Sequence, residues 1–187
     1  MKFIPTALPG VTLIEPDVFP DDRGFFLETW HQARYAEAGL PEAFVQDNHS
    51  YSVRNTLRGL HAQVLNPQGK LVRAVQGEIF DVAVDIRPDS ITFGTWVGER
   101  LSGENFRQLY IPPGFAHGFC VLSETAHVQY KCTDFYVKDD EISLRWDDSV
   151  VGIVWPVREP LLSPKDAAAP GLAEILQKLT GHEKAFS

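Results

Sequence analysis

The chain is poor in cysteine, carries fewer cations than anions, and lacks any long apolar run. Cys120 and Cys132 are its only cysteines and form no C-x-x-C pair, which argues against a disulfide scaffold or a structural zinc site and leaves two small buried residues as the default. Seventeen Lys and Arg stand against twenty-five Asp and Glu, a formal net charge of −8. That excess repels nucleic acid and anionic membrane surfaces, so neither is expected as a partner, and an anionic ligand must find a local cationic pocket. No stretch approaches the roughly eighteen apolar residues that a membrane helix needs. The first ten residues hold one Lys, and Pro5 and Pro9 interrupt them too early for a secretory apolar segment, so a soluble cytoplasmic protein is expected. Low-complexity tracts and internal repeats are absent as well.

What is present is a turn-rich globular composition. With 187 residues, 44% of them hydrophobic, and 12 Phe and 4 Trp, disorder is excluded and one domain over residues 1–187 is expected. The 14 Gly and 13 Pro point to many turns. From about residue 44 to 158, short apolar runs alternate with period two between Gly, Pro and Asn punctuation, the pattern of antiparallel strands. In the clearest run, Phe80, Val82, Val84 and Ile86 share one face and Asp81, Ala83 and Asp85 the other. Turns are expected at Asn66–Gly69, Gln76–Gly77 and Arg87–Ser90. Strands at this spacing without intervening helices indicate an all-β sandwich or barrel. Two short peripheral helices are expected, one over Trp30 to Ala38 ended by Gly39, the other carrying Leu172, Ile175, Leu176 and Leu179 at helical spacing and stopped by Gly181.

Several segments can carry chemistry. Strict alternation sets Arg58 and His61 on opposite strand faces unless Gly59 introduces a bulge. Lys70, Arg73 and Arg87 read as ordinary strand charges. Tyr130, Phe135 and Tyr136 serve equally as packing aromatics or as a phenolic proton donor and a ring for stacking a nucleobase. Ser163, Pro164 and Asp166 fit a helix capping box, which the spacing favours over a carboxylate orienting His61. His31, His49, His127 and His182 read as structural or surface residues.

Pro112-x-Gly114-x-x-His117 resembles the second motif of the cupins, small double-sheet jelly-roll barrels with a ligand pocket at the barrel mouth. Metal-binding cupins add a His-x-His pair, where this chain has His61-x-Gln63. A neutral amide in place of an imidazole disfavours a metal-dependent oxygenase.

Read together, Asp22–Phe26 with Glu28, Phe44–Ser50, Leu57–His61, Gln68–Arg73, Ile111–Phe119, Tyr130–Lys131, Trp155–Pro156 and Ser163–Ala168 resemble the dTDP-4-dehydrorhamnose 3,5-epimerase family, in order, over about residues 16 to 170. The resemblance implies a cupin-like jelly-roll, His61 as general base, Asp166 as its orienting carboxylate, Tyr130 as proton donor and Lys70 as enolate stabiliser. It further implies substrate contacts from Arg23, Glu28, Gln46, Asp47, Asn48, Arg58, Lys70, His117, Glu141 and Lys165, with Tyr136 stacking on thymine. It implies a homodimer acting on a dTDP-4-keto-6-deoxyhexose with no metal and no organic cofactor.

The chemistry accounts for those residue types. Carbons 3 and 5 both flank the carbonyl, so loss of either proton gives an enolate on the same oxygen and one base can serve both. Imidazole is basic yet neutral near neutral pH, a cation must hold the developing oxyanion, and a phenol suits delivery from the opposite face. Arg23, Arg58 and Lys165 are expected to converge on the diphosphate. Ala62, where relatives often carry an aromatic, and Phe135, in place of a second hydroxylated ring, leave sugar specificity open. Two alternatives also stay open: an epimerase of one carbon only, and a non-catalytic sugar-nucleotide-binding cupin.

Overall fold

The computed structural model describes residues 1–41 and 43–180. Thirteen strands and three helices follow one another as β1 (Lys2–Pro5), β2 (Thr12–Glu15), β3 (Val18–Asp21), β4 (Gly24–Leu27), α1 (Gln32–Glu37), β5 (Gln46–Val53), β6 (Leu57–Gln63), β7 (Lys70–Gln76), β8 (Glu78–Asp85), β9 (Trp96–Ser102), β10 (Gln108–Ile111), β11 (Phe115–Val121), β12 (Thr125–Cys132), β13 (Glu141–Ser143), α2 (Pro164–Ala167) and α3 (Leu172–Thr180). Two antiparallel sheets face each other, one ordered β1-β2-β10-β7-β12-β5 and the other β13-β6-β11-β8-β9, while β3 and β4 form a separate hairpin. This is the expected all-β, cupin-like double-sheet barrel with short peripheral helices.

Alternation supplies the barrel's inside. Val72, Ala74, Leu109 and Val128 of the six-stranded sheet meet Ile79, Ala83, Phe119 and Val121 of the five-stranded one in a dry core. The two faces of β8 divide as the alternation predicts, but both are buried. Val82, Val84 and Ile86 pack outward under Leu172, Ile175 and Leu179 of α3, whereas Ile79 and Ala83 face the lumen. Asp81 and Asp85 are completely buried with them. A second layer of Ile14, Tyr35 and Leu40 covers Leu71 and Tyr110 on the outside of the six-stranded sheet.

Local chemistry fixes the turns. Gln76–Gly77 joins β7 to β8 with Gly77 at φ +76°, a conformation that suits glycine. After β8, the Asp85 carboxylate accepts from Arg87, Ser90 and Thr92, which closes the 87–92 loop on itself. Burial alone raises the Asp85 carboxyl, but those donors overcome it and hold the group at about 2.

The strand expectation over 44–158 needs correction at both ends. Four strands precede it, beginning at Lys2, and the chain after Ser143 runs without strands to α2. Just beyond β13, Leu144 still exchanges backbone hydrogen bonds with Leu60 of β6, and the chain then covers the five-stranded sheet with Val151 and Trp155, which face the sheet without joining it. Among the helices, α1 is shorter than expected and Gly39 follows it at φ +79°. In α3, Leu172, Ile175 and Leu179 are buried and Leu176 is half-buried. The Gly181 stop and His182 lie outside the described residues. Cys120 and Cys132 are buried and unbonded. No helix among the described residues is long and apolar enough to cross a membrane.

Candidate active site

The open end of the barrel holds a cleft in two adjoining lobes of ≈ 360 and ≈ 290 Å³. His61, Lys70, Tyr130 and Lys165 line both lobes. His61 projects from β6 in the five-stranded sheet and Tyr130 from β12 in the six-stranded sheet, so imidazole and phenol enter from opposite walls.

A bulge brings Arg58 to the same side as His61. The β6–β11 register pairs His117 with His61 but Phe119 with Arg58, a one-residue shift centred on Gly59. Gly59 has φ +111°, and a Cβ there would stand 2.6 Å from the His117 carbonyl oxygen and 2.7 Å from the Gly118 Cα. Only glycine permits that approach, and both Arg58 and His61 then line the smaller lobe.

His61 Nε2 lies 2.7 Å from Asp166 Oδ1. A carboxylate there selects the tautomer with the proton on Nε2, which leaves the Nδ1 lone pair for a substrate proton. Glu141 Oε1 stands 3.6 Å from that Nδ1 and can stabilise the imidazolium once it forms. The capping-box preference for Asp166 is therefore corrected in part. Ser163 does cap α2, its Oγ accepting from the Asp166 backbone N–H at 3.1 Å, but the Asp166 carboxylate goes to His61. The chain reaches this position because Leu161 pairs with Asn55 and Leu57 at the start of β6, setting α2 beside that strand. Burial raises the Asp166 carboxyl, yet the His61 hydrogen bond and charge, with the Ser163 hydroxyl and Gly59 N–H, bring it below its ordinary value.

Lys70 opens β7 and is buried, with Nζ 3.5 Å from the His61 carbonyl oxygen. Burial pulls its ammonium down, and the charges of Glu141 and Asp81 partly restore it. Burial likewise raises the Tyr130 phenol, keeping its proton available for donation. Tyr136 donates to Glu141 Oε2 at 2.8 Å, the same oxygen that Lys165 Nζ pairs with, so Glu141 ties β13, α2 and the 133–137 loop together. Gln46 and Asn48 point into the larger lobe from β5, where Gln46 Nε2 donates to Asn48 Oδ1 at 3.1 Å. His117 lines the smaller lobe and pairs with Asp81 at 2.7 Å.

Three expected contacts lie elsewhere. Arg23 is exposed on the β3–β4 hairpin and pairs with Asp21 at 2.6 Å, so it does not converge with Arg58 and Lys165 within its own chain. Glu28 pairs with Arg34 at 2.6 Å and lines neither lobe. Asp47 alternates to the outer face of β5, where Lys131 holds it at 2.9 Å beside a depression of ≈ 350 Å³ that shares Asn48 and Tyr130 with the larger lobe. His49 and His127 are partners across strands on that face, their ring nitrogens 3.0 Å apart. Gln63 lines the larger lobe, but its amide is engaged within the protein: Nε2 donates to the Asn66 carbonyl at 2.6 Å and Oε1 accepts from the Val137 N–H at 2.7 Å. Among the described residues no group of three or more His, Cys, Asp or Glu is arranged to hold a metal.

Two site residues escape the sequence reading. Ser50 lines the smaller lobe with its buried Oγ unpartnered, a donor and acceptor aimed at a ligand. Asp81 stands behind His117. Alternation set Asp81 on one strand face with Ala83 and Asp85, and Ser50 falls within the Phe44–Ser50 stretch, but neither carried a role.

Residues 5–174 match the family model described as dTDP-4-dehydrorhamnose 3,5-epimerase. The dTDP-4-dehydrorhamnose 3,5-epimerase of Pseudomonas aeruginosa is 56% identical over 93% of this chain and 97% of its own length. A dTDP-4-dehydrorhamnose 3-epimerase of Streptomyces niveus is 41% identical over 93% of this chain and 85% of its own. The crystal structure of dTDP-6-deoxy-D-glucose-3,5-epimerase from Legionella pneumophila, in complex with dTDP-4-keto-L-rhamnose, superposes with a TM-score of 0.92 at 52% identity, covering 95% of this chain and 96% of that one.

Proposed function

The chain belongs to the dTDP-4-dehydrorhamnose 3,5-epimerase family, and from that membership we propose that it inverts carbons 3 and 5 of dTDP-4-dehydro-6-deoxy-D-glucose, giving dTDP-4-dehydro-L-rhamnose for dTDP-L-rhamnose synthesis. It is an isomerase, an epimerase of a sugar nucleotide. The observation that carries the mechanism is the pairing of His61 and Tyr130 across one cleft that Lys70 also lines. His61 Nδ1 takes the proton from carbon 3 or carbon 5, and the electron pair moves onto the carbon 4 oxygen. The Lys70 ammonium stabilises that oxyanion. Tyr130 then delivers its proton from the opposite face, and solvent resets both groups before the second carbon reacts. Protons and electrons balance in these steps with no metal or organic cofactor.

Arg58 and Lys165 are proposed to hold the diphosphate, which reconciles an anionic ligand with the net charge of −8. Gln46, Asn48 and the Tyr136 ring are proposed to hold the nucleoside, and His117 and Glu141 to contact substrate. The working unit is proposed to be a cytoplasmic homodimer of single-domain chains. Phe19, Phe25 and Phe26 leave the β3–β4 hairpin largely apolar and exposed, as an interface would require. Because Arg23 and Glu28 sit on or beside that hairpin and line neither lobe of their own chain, a second copy's hairpin is the proposed source of both.

The 3-epimerase of Streptomyces niveus favours one competing reading, inversion at a single carbon. Tyr130→Phe tests the mechanism in deuterated water. With the donor gone and the base intact, recovered substrate is expected to take up deuterium while product formation falls by about 100-fold or more. Undiminished product would remove Tyr130 from the reaction, and tight binding with no exchange in the unmodified protein would favour a binding module.

A further inference from the structure

Two histidine–carboxylate pairs stand side by side in the cleft. His61 and His117 are directly opposed on β6 and β11, and each has Nε2 2.7 Å from an aspartate, Asp166 and Asp81 respectively. The two acids differ in everything else. Asp166 is also served by the Ser163 hydroxyl and the Gly59 N–H, which disperse its charge. Asp81 is completely buried, and its Oδ2 has no hydrogen-bond partner among the described residues. Lys70 is near enough for the two charges to act on each other, but it makes no hydrogen bond to Asp81, and a buried carboxylate with a single hydrogen-bond donor is stabilised more by a cationic donor than by a neutral ring.

We propose that Asp81 is a positioning residue that holds His117 as an imidazolium, so that His117 Nδ1–H acts with the Lys70 ammonium as a second donor to the oxyanion on carbon 4. The inference rests on the epimerase reading. Asp81 binds Nε2, and His117 Nδ1 has no partner among the described residues, so it is the nitrogen left for a ligand in the lobe that His117 lines. The other charged or titratable groups around the ring are His61 and Arg58 from β6, Lys70 from β7, Tyr130 from β12, and Lys165 and Asp166 from α2. The cations among them oppose a charge on His117 from across the open lobe, whereas Asp81 favours it from 2.7 Å inside the dry core.

The test uses the intact protein with nitrogen-15-labelled histidine. At assay pH both ring nitrogens of His117 are expected to carry protons, and in Asp81→Asn only one. In the same variant kcat for the epimerisation is expected to fall about 10- to 100-fold, with KM changed less than about threefold. The double variant with His117→Gln is expected to be no slower than His117→Gln alone. A neutral His117 in the unmodified protein overturns the inference without any variant having to fold. So do an unchanged kcat in Asp81→Asn and additive losses in the double variant, the latter marking a merely structural acid. An unmodified protein that exchanges no substrate proton overturns instead the epimerase reading beneath it, and the nitrogen spectra tell the two failures apart.

Discussion

One imidazole can deprotonate two carbons in turn only if its proton is shed in between, and His61 is half-buried, open enough for solvent to take it. Its basic nitrogen is chosen by Asp166, 105 residues away in sequence, through a short helix whose cap had an adequate local explanation of its own. That is why sequence spacing pointed to the cap: a capping box is visible within four residues, whereas a carboxylate's reach across the fold is not. The proposed roles of His61, Tyr130 and Lys70 come from family resemblance, and the structure brings the three side chains to one cleft. Ser50 and Asp81 were not legible, because a serine or aspartate on an inward strand face has no signature until its neighbours are known. Lys70→Met tests the electrostatic step, since it keeps an apolar stem of similar length and removes the ammonium. Its kcat is expected to fall about 100- to 1000-fold, with dTDP affinity, measured by calorimetry, changed far less.

At the scale of elements, β6 does the positioning. Its bulge turns Arg58 and His61 to one side, an outcome the sequence allowed through Gly59 without being able to require it. Gly59→Ala is expected to destabilise the fold by about 2–4 kcal/mol in urea unfolding, from the positive φ and the clash with the Gly118 backbone, and to lower kcat even in the folded fraction. The β8–β9 connection makes a different prediction. Asp85 is held at about 2, below its unfolded value, so its contribution of roughly 2–3 kcal/mol is fully present above about pH 4 and is lost as pH falls toward 2. Asp85→Asn is therefore expected to be less stable than the unmodified protein at pH 7, with the gap narrowing steadily between about pH 4 and pH 2 in thermal melts.

At the scale of the whole molecule, period-two alternation and turn residues were enough to read an all-β sandwich or barrel, and the cupin resemblance supplied the double sheet. Alternation failed for β1 to β4, whose four-residue strands are too short to show a period, and for the segment after Ser143, whose apolar residues cover a sheet from outside. A hairpin reaching in from a second copy, as proposed above, accounts for Arg23 and Glu28 lying away from their own chain's cleft. Mixing inactive Arg23→Ala chains with inactive His61→Ala chains is expected to restore activity as subunits exchange, because each mixed dimer then holds one unaltered site. Absence of recovery in a confirmed mixed dimer would mean that each cleft is built from one chain. The claim that governs all of this is that one base works on two carbons. Incubating the protein with dTDP-4-dehydro-6-deoxy-D-glucose in deuterated water and following carbons 3 and 5 by NMR tests it most directly: deuterium at both carbons of the epimerised product is the predicted result, and label confined to one carbon would contradict it.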